Sequence, residues 1–332
     1  MSTPENILGQ ATAYLRTYFT GMIPYMLYYF GVAILRANGD TKKPFYYLLI
    51  SAPIKLILTL VFVSYLNMDV VGLALASTCS LSVSAVLVLI NLFRRDDILK
   101  LSIKELRFSK PVLLKILRYG IPSGIQSATF SLSSVIIQSS VNSLSHLEGF
   151  IAGNAAACSI ENFSNILTSA LYQVSLNFTG QNAGAKKYDR IKRIFVLNNG
   201  VSLVSCTIFA LFFCLMAKPL LSIYITDSPE AIAWGAVRIM FLFAPVFIQG
   251  IMDIIAGSLR GLGVSISPTI VSLICICAFR IVWCLTIFKL ENFHNPYTLY
   301  ISYPITWVLT ALINGAIFIK IYKKRKSLFA NI

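Results

Sequence analysis

The chain alternates long apolar runs with short polar breaks. Nine of these runs are long enough to cross a bilayer, at residues 12–35, 44–66, 70–93, 119–144, 150–180, 194–217, 231–258, 267–288 and 297–320. A spanning helix needs roughly 20 consecutive, mostly apolar residues, and each run meets that length. A membrane β-barrel would instead show strictly alternating segments of about ten residues, and none is visible. The pattern predicts an all-α membrane protein, a polytopic helical bundle of nine transmembrane helices.

Two of the runs share one grammar. Pro4-Glu5 opens the first, Leu35-Arg36-Ala37-Asn38-Gly39 closes it, and Pro44 begins the next. Pro229-Glu230, Leu259-Arg260-Gly261-Leu262-Gly263 and Pro268 repeat that order, with 31 residues from proline to arginine against 32 in the first copy. Elements recurring in register mark an internal repeat. Because both copies have the same hydropathy order, the expectation is a parallel pseudo-repeat of the kind built into secondary transporters.

Charge alters the reading of the loops. A net charge of +15 would suggest a nucleic-acid partner in a soluble protein. Here 22 of the Lys and Arg residues fall in loops assigned to one side, while only Lys218 and Lys289 fall on the other. That is the positive-inside distribution. It implies a multi-pass protein of the cell (inner or plasma) membrane with a cytoplasmic C-terminus, and no nucleic-acid role. Residues 94–118 read as a cytoplasmic amphipathic connector. It would join a partial lobe of three helices at 1–93 to a lobe of six helices at 119–332 with a basic tail. This topology puts Met1 outside and Ile332 inside. Three helices against six, with Ser2-Thr3-Pro4-Glu5 matching the mid-chain Asp227-Ser228-Pro229-Glu230, lead to the expectation that three further helices precede this stretch.

Polar residues inside the runs supply the candidate chemistry. Half of positions 121–144 are Ser, Thr, Gln or Asn, including Gln126, so that helix should face neighbours or a water-filled cavity, or use small residues to pack closely. Glu161, Asn165, Thr168 and Tyr172 are spaced to share one helix face. Glu161 and Asp253 are the two acids within the spans, and an intramembrane carboxylate costs roughly 2.5–3.5 kcal/mol on insertion scales. Each is a candidate either for ion coupling or for a structural pair with Arg280, Arg238 or Lys55. Lys55 and Arg280 follow Pro44 and Pro268 by 11 and 12 residues and so occupy nearly equivalent repeat positions. Arg36 and Arg260 read as helix C-terminal cations, and Gln181–Gly184 as a turn between helices. The seven cysteines, an odd number without a C-x-x-C, read as packing residues.

The two L-R-x-x-G closures, Gly120-Ile121-Pro122, Gly180-Gln181-Asn182-Ala183-Gly184-Ala185 and Val71-Gly72-Leu73-Ala74 together resemble the multidrug and toxin extrusion (MATE) family, in its DinF-like branch. The resemblance covers essentially the whole chain as the family's helices four to twelve. It implies an incomplete two-lobe architecture around a central cavity, and cation-coupled export of small amphipathic or cationic molecules. An H+ or Na+ gradient would stand in place of any cofactor. Two positions depart from family acids, where this chain has Phe130 and Gln249; sodium coupling through that second-lobe site is therefore not supported. The sequence carries no G-x-S-x-G, H-E-x-x-H or nucleotide fingerprint, and the expectation is not an enzyme. A lipid-linked saccharide flippase of related fold, and a non-transporting membrane fragment or partner subunit, remain as alternatives.

Overall fold

In the computed structural model, which describes residues 5–97 and 99–330, all nine apolar runs are helical over most of their length. No strand occurs among the described residues. Met1, Pro4 and Ile332, on which the opening of the repeat and the assigned sidedness rest, lie outside them. The chain forms two compact units, Met1–Phe108 and Ser109–Ile332.

The first unit contains α1 (Glu5–Thr20), α2 (Met22–Ala37), α3 (Lys42–Thr59, prolonged by a π-helical turn over Leu60–Tyr65) and α4 (Asp69–Phe93). α4 is its spine, with α1, α2 and α3 all packed on it. The sequence explains why: its buried positions include Gly72, Ala74, Ala76, Ser80, Ser84 and Ala85, and small residues let helix backbones approach closely where lipid is as apolar as leucine. Tyr28, Val32 and Leu35 of α2 meet Ala85, Val88 and Leu92 of α4 in one core.

The second unit contains α5 (Lys110–Asn142), α6 (Phe150–Gly184), α7 (Tyr188–Leu215), the short α8 (Ala217–Ser222), α9 (Pro229–Phe243) and α10 (Val246–Gly261). It continues with α11 (Ile266–Ser272), a π-helical turn over Leu273–Ala278, α12 (Phe279–Leu285) and α13 (Pro296–Ala330). α6 packs on α7, α9 and α10, and α10 also packs on α13.

The repeat is visible in the helix boundaries. α1 and α2 bend by 46° at Gly21, and α9 and α10 bend by 44° at Ala244–Pro245. A constant shift of 224 residues relates Met22 to Val246, Ala37 to Gly261, Gly39 to Gly263 and Lys42 to Ile266. The closures match bond for bond. The Gly39 amide donates to the Arg36 carbonyl at 2.9 Å and the Gly263 amide to that of Arg260 at 2.8 Å. Asp40 and Val264 donate to Leu35 and Leu259, each at 3.0 Å. With φ of 87° and 77°, the two glycines hold a left-handed conformation that terminates a helix without Cβ strain.

Five helices among the described residues are long and apolar enough to cross a membrane, and seven if each bent pair is one span. α5 and α6 have 33 and 35 residues but fall outside that set, because hydroxyl and amide side chains dilute their apolarity. A count of nine crossings requires including both. Many α5 hydroxyls are satisfied locally. Ser123, Ser127, Ser131 and Ser134 each donate to the carbonyl four residues earlier, which removes much of the cost of a polar group in an apolar setting.

One local expectation changes. Gln181–Gly184 is the last turn of α6 rather than a turn between helices. Hydrogen bonding carries the helix past the glycine, and the chain reverses over 185–187, with Lys186 at φ 59°. Of the described residues in 94–118, only a 3-10 turn at Ile103–Glu105 and the stretch from Lys110 onward are helical, and the latter is the start of α5.

Candidate functional site

Along one face of α6 runs a ladder of polar residues, and each rung has a partner on α9 or α10. Glu161 accepts from Arg238 at 2.6 Å. Asn165 accepts from Gln249 at 3.2 Å. Thr168 stands beside Asp253. The Tyr172 hydroxyl accepts from Arg260 at 2.8 Å. Rung order rises along both sides, so α6 and the α9–α10 pair run parallel. The approach is close because Gly257 of α10 faces the α6 backbone: a Cβ there would lie 2.7 Å from the Tyr172 carbonyl. Beside the ladder, Ser175 and Ser258 are buried and 2.7 Å apart.

The first rung is the most enclosed. Arg238 is 4% exposed. Besides Glu161 it donates to the Asn154 amide oxygen at 2.7 Å, which also accepts from the Tyr300 hydroxyl at 3.1 Å. Its guanidinium lies over the rings of Tyr300 and Tyr303, 5.5 and 5.7 Å from their centroids. A buried charge needs both a counter-charge and hydrogen bonds; Glu161 supplies the first and Asn154 one of the second, while Arg238 Nε has no partner among the described residues.

At the last rung, Arg260 reaches three side chains. It donates to Tyr172, to Gln126 of α5 at 2.5 Å and to Thr269 of α11 at 3.4 Å. The sequence placed this arginine as a helix C-terminal cation, which its position in the final turn of α10 agrees with. Its side chain also ties α5, α6 and α11 together.

Arg280 belongs to a different cluster. It bonds the Thr306 hydroxyl at 2.9 Å and stacks 4.0 Å from the centroid of Tyr303. Neither Glu161 nor Asp253 is its ion-pair partner among the described residues. The carboxylate that sequence reasoning left between three bases is held by Arg238. Asp253 takes part in no ion pair among the described residues. Lys55 lies in the first unit, in the wall of a separate cavity between α1, α3 and α4.

The ladder face on α6 was legible in the sequence; the roles of Asn154, Tyr300, Tyr303 and Thr306 were not. Tyr300, Tyr303 and Trp307 do form a one-face stripe on α13, a signal that marks a helix interface without saying what it packs on. Among the described residues, no three His, Cys, Asp or Glu gather into a possible metal site. Cys206, Cys275, Cys277 and Cys284 are buried free thiols.

A family model described as MatE matches residues 122–286, and one described as "Lipid II flippase MurJ" matches residues 4–140. The chain is 24% identical to the "Probable multidrug resistance protein YoeA" of Bacillus subtilis, over 98% of this chain and 71% of that protein. It is 25% identical to the "Probable multidrug resistance protein YpnP" of the same organism, over 84% of this chain and 62% of that one. Its backbone is similar to that of a multidrug resistance MATE family transporter of the MOP superfamily in an outward-facing conformation. The TM-score is 0.89 at 17% identity, covering 98% of this chain and 72% of the other.

Proposed function

Because the chain belongs to the multidrug and toxin extrusion family, we propose that it takes part in exporting small amphipathic molecules across the cell membrane in exchange for H+ or Na+. The observation that carries this reading is the polar ladder between α6 and α9–α10. Such a row of paired acids, amides and arginines inside apolar helices is costly to place in a membrane and marks a path for an ion or solute. Multidrug relatives spanning most of this chain support the class of cargo.

Within the ladder, the two carboxylates have different roles. Glu161 is paired with Arg238 at 2.6 Å, a structural contact. Asp253 is in no ion pair among the described residues, so protonating it breaks no salt bridge there; we assign it as the coupling residue. Everted membrane vesicles carrying the chain test the proposal. An imposed pH or sodium gradient should drive ethidium uptake, and the Asp253→Asn variant should not support it. Equal uptake with and without a gradient would refute the coupled-export reading.

The flippase alternative has one specific support, the match of the MurJ model over residues 4–140. Vesicles that scramble a fluorescent polyprenyl diphosphate but leave ethidium unmoved would favour it.

A further inference from the structure

The first unit contains a cavity of about 500 Å³ between α1, α3 and α4, a size suited to a small organic ligand. It forms at the bend where α1 gives way to α2, and Gly21 at that bend is part of its wall. Among the described residues Lys55 supplies the one charge in the lining, with no Asp or Glu beside it. Lys55 takes part in no ion pair among the described residues. The hydroxyls of Ser51 and Ser80 are already committed to backbone carbonyls three residues earlier. Thr78 is different: its buried hydroxyl has no partner, and it stands against Gly21. Aromatic surface completes the wall. Tyr14 and Tyr18 lie stacked one helical turn apart, 6.0 Å between centroids and 14° between planes, and Tyr25 stands beyond the bend.

An ammonium inside a membrane segment without a counter-charge is unfavourable unless something supplies one. Here the same cavity offers a free hydroxyl donor and flat aromatic walls, while its described lining holds no carboxylate to pair with a cation. We infer that this cavity binds an organic anion: a carboxylate or phosphate held by Lys55 and Thr78, attached to a planar or apolar body that lies against Tyr14 and Tyr18. The inference refines the transport reading by naming a substrate class, and it departs from the cationic cargo that the sequence suggested.

The position of Lys55 in the repeat supports a built feature. Arg280 follows Pro268 by one residue more than Lys55 follows Pro44, and a π-helical turn lies between Pro268 and Arg280, whereas in α3 the π turn comes after Lys55. A π turn accommodates one extra residue, so it absorbs the offset and brings the two cations to the same turn of their copies.

Calorimetric titration of the detergent-solubilised chain with 2-naphthoate, 2-naphthyltrimethylammonium and decyl phosphate tests the inference. Naphthoate is expected to bind at least about tenfold more tightly than its cationic analogue, as a charge-assisted hydrogen bond is worth. Lys55→Met should remove that margin and Lys55→Arg should keep it. Decyl phosphate binding that also depends on Lys55 points to a lipid-type phosphate as the natural source; binding of naphthoate alone points to a soluble aromatic anion. Equal or tighter binding of the cation, or unchanged naphthoate affinity in Lys55→Met, overturns the inference. Should Lys55→Met fail to fold, Tyr18→Leu decides instead: it should weaken naphthoate several-fold, and unchanged affinity overturns the inference. Gradient-driven ethidium uptake without naphthoate binding would leave the transport reading standing and remove this one; naphthoate binding without uptake would do the reverse.

Discussion

The guanidinium of Arg238 stands 2.6 Å from the carboxylate of Glu161, a contact that joins α9 to α6 across 77 residues of sequence. It sets the electrostatics of the second unit, because it leaves Asp253 as the ladder's acid in no ion pair among the described residues and Arg280 as a cation held by a hydroxyl and an aromatic face.

Breaking the pair from the acid side strands a buried cation. Glu161→Gln is expected to lower stability by about 3 kcal/mol, at the low end of the range for a broken buried pair because Glu161 is partly exposed. Adding Arg238→Met should recover part of the loss, while adding Arg280→Leu should recover none. Thermal unfolding in detergent measures all three. Rescue by the Arg280 change and not by the Arg238 change would reverse the assignment of partners.

Asp253→Asn is expected to act on function without a comparable effect on stability. The amide mimics the protonated acid, yet it cannot release a proton. Unfolding temperature should stay within a few degrees of the parent chain, while gradient-driven dye uptake should fall to background. A large drop in unfolding temperature with uptake preserved would mean that Asp253 is structural.

Gly257 permits the close contact between α6 and α10. A Cβ there would sit 2.7 Å from the Tyr172 carbonyl and 3.2 Å from the Ser175 side chain, and backbone cannot give way as a flexible side chain would. Gly257→Val should destabilise by about 1–3 kcal/mol, as overpacking does, with Gly257→Ala intermediate. The distance between spin labels at exposed positions on α6 and α10 should increase in the same order. Unaltered distances in the valine variant would show that the two helices are less tightly coupled than this geometry requires.

The loop after α4 has a predictable acid response. Asp97 is held by Arg95 through a salt bridge at 2.7 Å, and this hydrogen-bonded cation keeps its carboxyl below the usual carboxylate range. A depressed folded-state pKa means the contact's stabilisation is fully present above the unfolded value, about 3.9, and is lost as pH falls through the lower, folded one. Hydrogen exchange of residues 94–97 and 99–101 should therefore show protection that is constant from pH 7 to 5 and declines below about pH 4, after correction for intrinsic rates. Asp97→Asn should remove that step. A step of unchanged size in the variant would assign it to another acid, with Asp40, 3.7 Å from Arg95, the next to substitute.

Local pattern settled much of the architecture. Apolar runs of about 20 residues leave a chain little choice but membrane helices, and the recurring proline, arginine and glycine spacing already contained the repeat. The structure added the matched bends at Gly21 and Pro245, where the two copies bend by different means: a missing Cβ that admits Thr78 in one and proline's missing donor in the other. For the site, the sequence determined which residues share a face: Glu161, Asn165, Thr168 and Tyr172 follow helical spacing, a property of neighbours in the chain. Their partners lie 77 to 88 residues away for the rungs joined by Arg238, Gln249 and Arg260, and no periodicity encodes which of three bases meets Glu161. That choice fell to tertiary packing, since helical spacing sets only direction around one axis. The close approach of α6 to α9 and α10 fixes which side chains come within 3 Å, and it brought Arg238, rather than Arg280 or Lys55, to the acid.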